Sequence, residues 1–298
     1  AQKYDTDALI KKNGYDDHFH DHHHGDKYQS GFLGHYVFSM DHKIIARQFL
    51  ITGIIWAIIG AAMSVVFRLQ LGFPEESMAW LKPVLGKWIT LNDGVGTLAP
   101  EFYYALVTMH GTILVFFVLT AGLSGTFSNL LIPLQLGARD MASPFLNMLS
   151  YWFFFFSGVI MMYSLFLNTG PFSGGWTAYP PLSALPQASS GSGAGMTLWL
   201  VSLTLFVVSV LLGGINYVTT VLNLRTKGMS MWRMPLTIWA FFVTAILGIL
   251  SFPVLVSGFF MLMMDRGLGT SFFLNEIFIE GQALERIGGT PVLYQHLF

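Results

Sequence analysis

Residues 196–224 have the sequence MTLWLVSLTLFVVSVLLGGINYVTTVLNL, which contains no Lys, Arg, Asp or Glu. The charge-free stretch is longer still, because none of these four residue types occurs anywhere from Met141 to Leu224. A bilayer core requires about 20 predominantly apolar residues of helix. The segment therefore predicts a transmembrane helix, and the chain is expected to be an integral membrane protein.

The composition of the whole chain supports this expectation. Of its 298 residues, 53% are hydrophobic and 10% are charged, and the mean hydropathy is +0.58. A soluble domain carries roughly a quarter charged residues, so this chain has too few to cover a water-facing surface. The absence of cysteine excludes disulfides and thiolate metal sites. The formal net charge of -1 argues against a nucleic-acid partner.

Five segments are long and apolar enough to cross a bilayer, at residues 44–71, 101–135, 145–168, 196–224 and 233–264. A sixth is expected to begin at Thr290 and to be incomplete at Phe298. Since an open sheet cannot satisfy its backbone in lipid, and since these runs are too long for barrel strands, the predicted fold class is all-α, a polytopic transmembrane helix bundle. The bundle is assigned to residues 39–298, after a polar, His-rich N-terminal tail at residues 1–38 that lacks a signal-peptide core.

Basic residues near the predicted spans indicate the orientation. If the helices alternate in direction, six of these residues fall on one side of the membrane, which the positive-inside rule assigns to the inside: Lys43, Arg47, Arg139, Arg225, Lys227 and Arg233. The N-terminus is therefore expected to lie inside.

One histidine lies in the middle of the second span, in the stretch YALVTMHGTILVFF at Tyr104–Phe117. Ionisable side chains inside a membrane are costly and usually mark function. His110 is roughly 15 Å of helix from the outer end of the span, and Gly111 beside it leaves room for a flat macrocycle. A neutral imidazole is a good axial ligand for haem iron. From the residues alone, a neutral core histidine bonded to a neighbouring helix remains an equal alternative.

Three other polar or aromatic residues at span ends have ordinary explanations as well. Asp140 lies at the inner end of the second span, and carboxylates at helix ends are commonly only solvated caps. Arg68 at the outer end of the first span is of a type that snorkels to the interface. Trp176 lies in an outer loop, and interfacial tryptophans are common.

The tail contains five histidines in seven residues, from His18 to His24. Such tracts bind zinc or copper. Without cysteine or a folded scaffold, adventitious or regulatory affinity is expected here rather than a structural metal site.

Several motifs resemble, in order and spacing, those of subunit I of the haem-copper respiratory oxidases. The similarity extends from about residue 39 to the end of the chain. The segments that carry it are Ser39–Lys43 (SMDHK), Thr108–Gly111 (TMHG), Asn129–Pro144 (NLLIPLQLGARDMASP), Gly175–Leu182 (GWTAYPPL), Gly213–Asn216 (GGIN), Gly228–Pro235 (GMSMWRMP) and Pro291–Phe298 (PVLYQHLF).

The resemblance implies roles for three residues near one haem. His110 matches the axial ligand of the low-spin haem, which is expected to be haem a. Arg68 matches a residue at an edge substituent of that haem, and Trp176 matches a tryptophan near its propionates. The second axial ligand, the high-spin haem ligand and the copper ligands would lie beyond Phe298, so no catalytic residue is expected in this segment. His296 is not expected to bind copper.

The resemblance also implies a route for protons. Asp140 matches the residue that opens a water-filled channel from the inside, and Asn129 and Asn147 match asparagines at its entrance. Two positions depart from the family pattern. Met148 replaces a frequent asparagine, which puts the channel's water structure in doubt, and Gln70 replaces a glutamate that helps to bind calcium or sodium, so that ion is not predicted.

Taken with the resemblance, the predicted function is that of the catalytic subunit of a bacterial terminal oxidase in the cytoplasmic membrane. A cytochrome c oxidase would pass electrons from cytochrome c or a similar donor, by way of a subunit II, to oxygen, with proton uptake and pumping. A quinol oxidase of the same family is the alternative. A transporter or non-catalytic membrane scaffold is the alternative of a different class, and it predicts no haem.

Overall fold

The computed structural model describes residues 31–92, 94–189, 191–279, 281–283 and 288–298. The histidine tract at residues 18–24 lies outside these ranges. The chain divides into two units, one ending at Ser39 and one comprising Met40–Phe298. In the described part of the first unit, Leu33–Val37 form a short π-helical turn.

Within the described residues, five helices are long and apolar enough to cross a membrane. All the predicted span limits lie within three residues of the observed ones, so the predicted fold class is confirmed. A four-residue helix, α2 at Lys82–Leu85, lies between the first two spans, and α7 at Pro291–Leu297 lies where the sixth span was predicted to begin. The long helices are α1 at His42–Gly72, α3 at Pro100–Leu136, α4 at Pro144–Phe166, whose last three residues are a 3₁₀ turn, α5 at Ala194–Asn223 and α6 at Leu236–Gly267.

The helix ends follow from capping residues and prolines. Asp41 caps α1, since its Oδ1 accepts a hydrogen bond from the Lys43 N–H at 2.7 Å. Gly137, with φ of 71°, ends α3 in the left-handed conformation that glycine adopts without strain. The predicted start of the fifth span at residue 233 is three residues too early. Pro235 disfavours α-helical geometry in the residue before it, so the helix begins only after this proline.

The middle of α3 is wound as a π-helix over Ile113–Leu123. This stretch begins three residues after His110. In it the Thr120 hydroxyl donates to the carbonyl oxygen of Val115, five residues back, at 2.8 Å. Hydropathy does not reveal such a stretch, which is often found next to functional sites.

Small residues allow the helices to approach closely. A Cβ placed on Gly53 of α1 would lie 3.1 Å from the Cα of Gly122 in α3. Helices α4 and α5 are joined by two serine hydroxyls of α5, since Ser202 and Ser209 each donate to a carbonyl oxygen of α4 at 2.6 Å. Both devices are typical of helix packing in membranes.

Two short antiparallel hairpins lie on the side of the bundle where α1 ends and α3 begins, which we call the outer side. They are β1 with β2, at Ile89–Asn92 and Val95–Leu98, and β3 with β4, at Phe278–Ile279 and Gln282–Ala283. The side chain of Gln70 near the end of α1 accepts a hydrogen bond from the Leu98 N–H at 2.9 Å. Gln70, the residue that departs from the family's glutamate, thus attaches a hairpin to the first span.

Candidate functional site

His110 lies on α3, half-buried, and faces α1. Its Nδ1 is 2.8 Å from the carbonyl oxygen of Gly60. A carbonyl oxygen only accepts, so Nδ1 carries the proton and the lone pair of the neutral ring is on Nε2. This bond is what a buried histidine without a metal would make. It is also the bond with which proteins orient an imidazole that binds a metal through its other nitrogen. The donor chemistry at His110 therefore fits an axial ligand.

Two side chains near the end of α1 lie close to this histidine, one behind the other. The Phe67 ring meets the His110 ring edge to face, with centroids 5.6 Å apart. The guanidinium carbon of the exposed Arg68 lies 5.1 Å from the centroid of the Phe67 ring. The structure thus brings Arg68 into the neighbourhood of His110, with one aromatic ring between them.

The loop between α4 and α5 approaches His110 from another direction. The Gly175 N–H donates to the Thr108 hydroxyl at 2.9 Å, and a Cβ on Gly111 would lie 3.2 Å from Cδ1 of Trp176. The sequence predicted room for a macrocycle beside Gly111. In the structure the indole of Trp176 takes that room, so the small residue serves close packing of the loop on α3.

At the opposite end of α3, which we call the inner side, Asp140 lies in the loop before α4. Its Oδ1 accepts a hydrogen bond from the Met141 N–H at 2.6 Å, and the His42 N–H at the start of α1 also donates to this carboxylate. Burial raises the pKa of Asp140 above its ordinary value, although these two N–H groups and the His42 ring act in the other direction. Asp41 adds to the increase. A carboxyl group with a raised pKa is suited to bind and release protons.

His42 connects Asp140 to Asn129, a role that sequence reasoning missed. The imidazole is 3% exposed, and its Nδ1 donates to the backbone carbonyl oxygen of Asn129 at 2.8 Å. Because His42 lies at the start of a span, the sequence indicated only an interfacial residue. No local pattern could reveal that the first turn of α1 packs against the inner part of α3.

The two asparagines predicted beside Asp140 are completely buried, with 0% exposure. Asn129 donates through Nδ2 to the Gly125 carbonyl oxygen at 2.7 Å, whereas its Oδ1 has no partner among the described residues. Asn147, one turn into α4, has no protein partner for either amide atom in the described part of the chain. A buried polar atom without a partner costs about 1–3 kcal/mol, and ordered water is the usual remedy. The arrangement therefore fits amides that hold water.

Asn216 of α5 offers a contrast, since both of its amide atoms are bonded. Its Oδ1 accepts from the Ser143 N–H at 2.8 Å, and its Nδ2 donates to the Ser143 carbonyl oxygen at 3.1 Å. Asn216 thus bonds the backbone of the residue that caps α4.

Histidine and carboxylate side chains do not gather into a separate metal site in the described ranges, where no group of three or more His, Cys, Asp or Glu could hold an ion. His296 is exposed on α7. The candidate site thus consists of a lone oriented imidazole on the outer half of α3 and a partly unsatisfied polar cluster on the inner side.

These features define a class, a multi-pass α-helical membrane protein with an oriented histidine, His110, in its second span. Residues 44–298 match the model of the family described as "Cytochrome C and Quinol oxidase polypeptide I". The chain belongs to this family.

Three relatives are similar to this chain over most of its length. The chain is 42% identical over 263 residues to the alternative cytochrome c oxidase subunit 1 of Bradyrhizobium diazoefficiens, with 88% of this chain and 41% of the relative covered. It is 38% identical to the cytochrome c oxidase subunit 1 of Synechocystis sp. and 33% identical to that of Thermostichus vulcanus, with 89% of this chain and 41% of each relative covered. The chain therefore spans about two fifths of the length of these relatives.

Proposed function

We propose that this chain forms part of the catalytic subunit of a terminal respiratory oxidase, in which electrons pass through a low-spin haem to a haem-copper centre that reduces oxygen to water. The observation that carries the proposal is the imidazole of His110, which is held inside the bundle with Nδ1 on the Gly60 carbonyl oxygen and Nε2 as its lone-pair nitrogen. Family membership supports the same reading.

Three residues would hold the low-spin haem. His110 would supply a nitrogen ligand for the iron, Arg68 a cation for one haem substituent, and Trp176 an indole for the propionate groups. A bound haem, which we propose to be haem a, supplies reversible one-electron chemistry at its iron. The high-spin haem and the copper would be held by residues outside this chain.

Proton uptake is assigned to the inner side. Asp140 collects protons, and Asn129 and Asn147 hold water with their neutral amides without fixing a charge. The unpartnered amide atoms of both asparagines support this assignment, as does the burial that raises the pKa of Asp140. Part of this uptake would be coupled to pumping.

The names of the relatives support an assignment of the donor and of the surrounding membrane. Their names identify cytochrome c oxidases, so we assign cytochrome c as the donor, although the family description also covers quinol oxidases. An electron-entry subunit II would be a partner, and the bilayer would be the bacterial cytoplasmic membrane. The N-terminus would lie inside, because the six basic residues named above then face the cytoplasm.

The test is a reduced-minus-oxidised visible spectrum of the purified native complex, with and without carbon monoxide. We expect one low-spin haem band and a second, CO-sensitive haem. In the complex carrying His110→Ala the low-spin band should be lost, because alanine offers no ligand. The positions of the bands separate a-type from b- or o-type haem, and thus test the haem a assignment.

His35→Ala is the matched control, since it removes an imidazole from the unit that precedes the bundle and should leave both bands in place. A native complex without haem would overturn the proposal and favour a transporter or scaffold. An unchanged low-spin band in His110→Ala would overturn the assignment of His110 alone.

A further inference from the structure

A small cavity lies among α1, α3, α4 and α5, and its volume is about 30 Å³. This is enough for one or two water molecules. Although apolar groups make up most of its surface, five of its ten lining residues carry hydroxyl groups that can bond water. They are Thr120 and Ser124 of α3, Ser150 of α4, and Ser209 and Tyr217 of α5.

The serines present acceptor oxygens to this cavity. The Ser150 hydroxyl donates to the Asn147 carbonyl oxygen at 2.7 Å, and the Ser209 hydroxyl donates to the Ser150 carbonyl oxygen at 2.6 Å. Ser124 likewise donates to the Thr120 carbonyl oxygen. Since a hydroxyl has a single proton, their lone pairs remain available to a water molecule.

Tyr217 connects the cavity to the inner asparagine. Its hydroxyl oxygen accepts from Nδ2 of Asn129 at 3.4 Å, and an amide nitrogen can only donate. The phenolic proton is therefore available for another acceptor. One is the Ser128 hydroxyl, which is within hydrogen-bonding reach and donates its own proton to the Ser124 carbonyl oxygen at 2.5 Å. Water in the cavity is the other.

Gly213 determines where this hydroxyl lies. A Cβ at that position would be 3.3 Å from the Tyr217 hydroxyl oxygen, which is tighter than ordinary contact. Because glycine has no side chain, the tyrosine ring folds back along α5, and its hydroxyl reaches the level of the preceding turn. Both glycine and tyrosine are needed for this placement.

We propose that Tyr217 is a positioning residue for proton uptake, whose hydroxyl joins the amide of Asn129 to water in the serine-lined cavity and so carries the polar path from the inner side towards the middle of the bundle. This inference rests on the proposed function of Asp140, Asn129 and Asn147. The tyrosine remains neutral throughout, since its hydroxyl only holds water by hydrogen bonds and the water molecules carry the proton.

The test uses the complete oxidase complex in sealed vesicles, with proton uptake measured during turnover. Tyr217→Phe retains the ring and removes the hydroxyl. Uptake should slow by roughly fivefold, the rate equivalent of one hydrogen bond, and the solvent deuterium isotope effect on uptake should increase. The haem bands should be unchanged. Gly213→Ala displaces the hydroxyl without removing it, and a smaller loss in the same direction is expected.

Tyr151→Phe is the matched control. Its hydroxyl is also inside the bundle, 3.1 Å from the Thr52 hydroxyl, but it does not line the cavity. Uptake in this variant should equal that of the unmodified complex.

Wild-type uptake and isotope effect in Tyr217→Phe would overturn the inference, provided that Asp140→Asn slows uptake. If Asp140→Asn has no effect either, the proposed proton route itself fails. Should Tyr217→Phe lose its haem bands, Gly213→Ala decides the matter, and normal uptake in that variant would overturn the role of the hydroxyl.

Discussion

The outer and inner parts of α3 differ in how their polar atoms are satisfied. Near His110 the hydrogen bonds are made by the protein itself, from the imidazole to Gly60 and from Gly175 to Thr108. Around Asn129 and Asn147, three amide atoms have no partner in the described part of the chain. His110 and Asn129 lie on α3, and Asn147 lies in the first turn of α4.

The difference matches two kinds of chemistry. A metal ligand must be held in one orientation and one tautomer, which a complete set of protein hydrogen bonds provides. A water chain needs polar atoms that the protein leaves free, wholly or in part, to bond water. The proposed haem pocket and the proposed proton route thus differ in how many of their polar atoms are hydrogen-bonded to protein.

The largest effect should come from Asp140→Asn. An amide cannot collect and release protons, so steady-state oxygen consumption should fall by about a hundredfold, the usual contribution of a proton-transfer group. Oxygen uptake by membranes with excess donor measures it.

Glu101→Gln, at the opposite end of α3, is the control for the loss of a carboxylate and should retain normal turnover. If Asp140→Asn turned over at the normal rate, the inner side would have no part in the reaction.

A pair of asparagine variants tests the comparison directly. Asn147→Leu removes amide atoms that bond no group among the described residues, so proton uptake should fall several-fold while the melting temperature of the complex does not decrease. Asn216→Leu removes two bonds to Ser143 and should cost about 1–3 kcal/mol of stability. Thermal unfolding in detergent and vesicle uptake distinguish the two. Equal destabilisation by both changes would show that the comparison is wrong.

On the outer half, Gly60→Ala should have a smaller effect. The new Cβ would lie 2.9 Å from Cδ2 of Leu114, so the side chain or the helix must shift, and the carbonyl oxygen that orients His110 moves with α1. We expect a small shift of the low-spin haem band with oxygen turnover largely retained. Gly72→Ala, at a position with open space around it, should leave the band unmoved. If the two variants had identical spectra, the Gly60 carbonyl oxygen would have no role in orienting a haem ligand.

The smallest effect concerns stability and pH. Burial raises the pKa of Asp140 above the ordinary 3.8, so its stabilising contribution is complete below that value and is lost as the pH rises through the raised pKa. Asn cannot ionise. The melting temperature of Asp140→Asn relative to the unmodified complex should therefore be higher at about pH 7 than at about pH 4.5. The opposite trend would indicate that the ionised form is the favoured one.

Much of the fold could be predicted from the sequence, because apolar length alone decides which segments cross a bilayer. The limits of α1 and α3–α5 lie within two residues of the prediction. Both limits of α6 differ by three residues, and Pro235 accounts for the difference at its start. His110 was also detectable, as an ionisable residue in an apolar helix. The hydrogen-bond partner of His110 could not be predicted. It is the backbone carbonyl oxygen of Gly60, and since every residue has such an oxygen, the sequence does not distinguish this one.

Hydropathy thus determines the class of protein and the five spans, and it singles out His110, since these depend on transfer of segments from water to lipid. The other candidate residues were named by the resemblance of sequence motifs to the oxidase family. Which candidates meet depends on how the helices cross, and only packing decides that. It brings His42 between Asp140 and Asn129, fills the space at Gly111 with Trp176, and places the Tyr217 hydroxyl over Gly213 beside a small cavity. These contacts join residues far apart in the chain, where no local periodicity connects them.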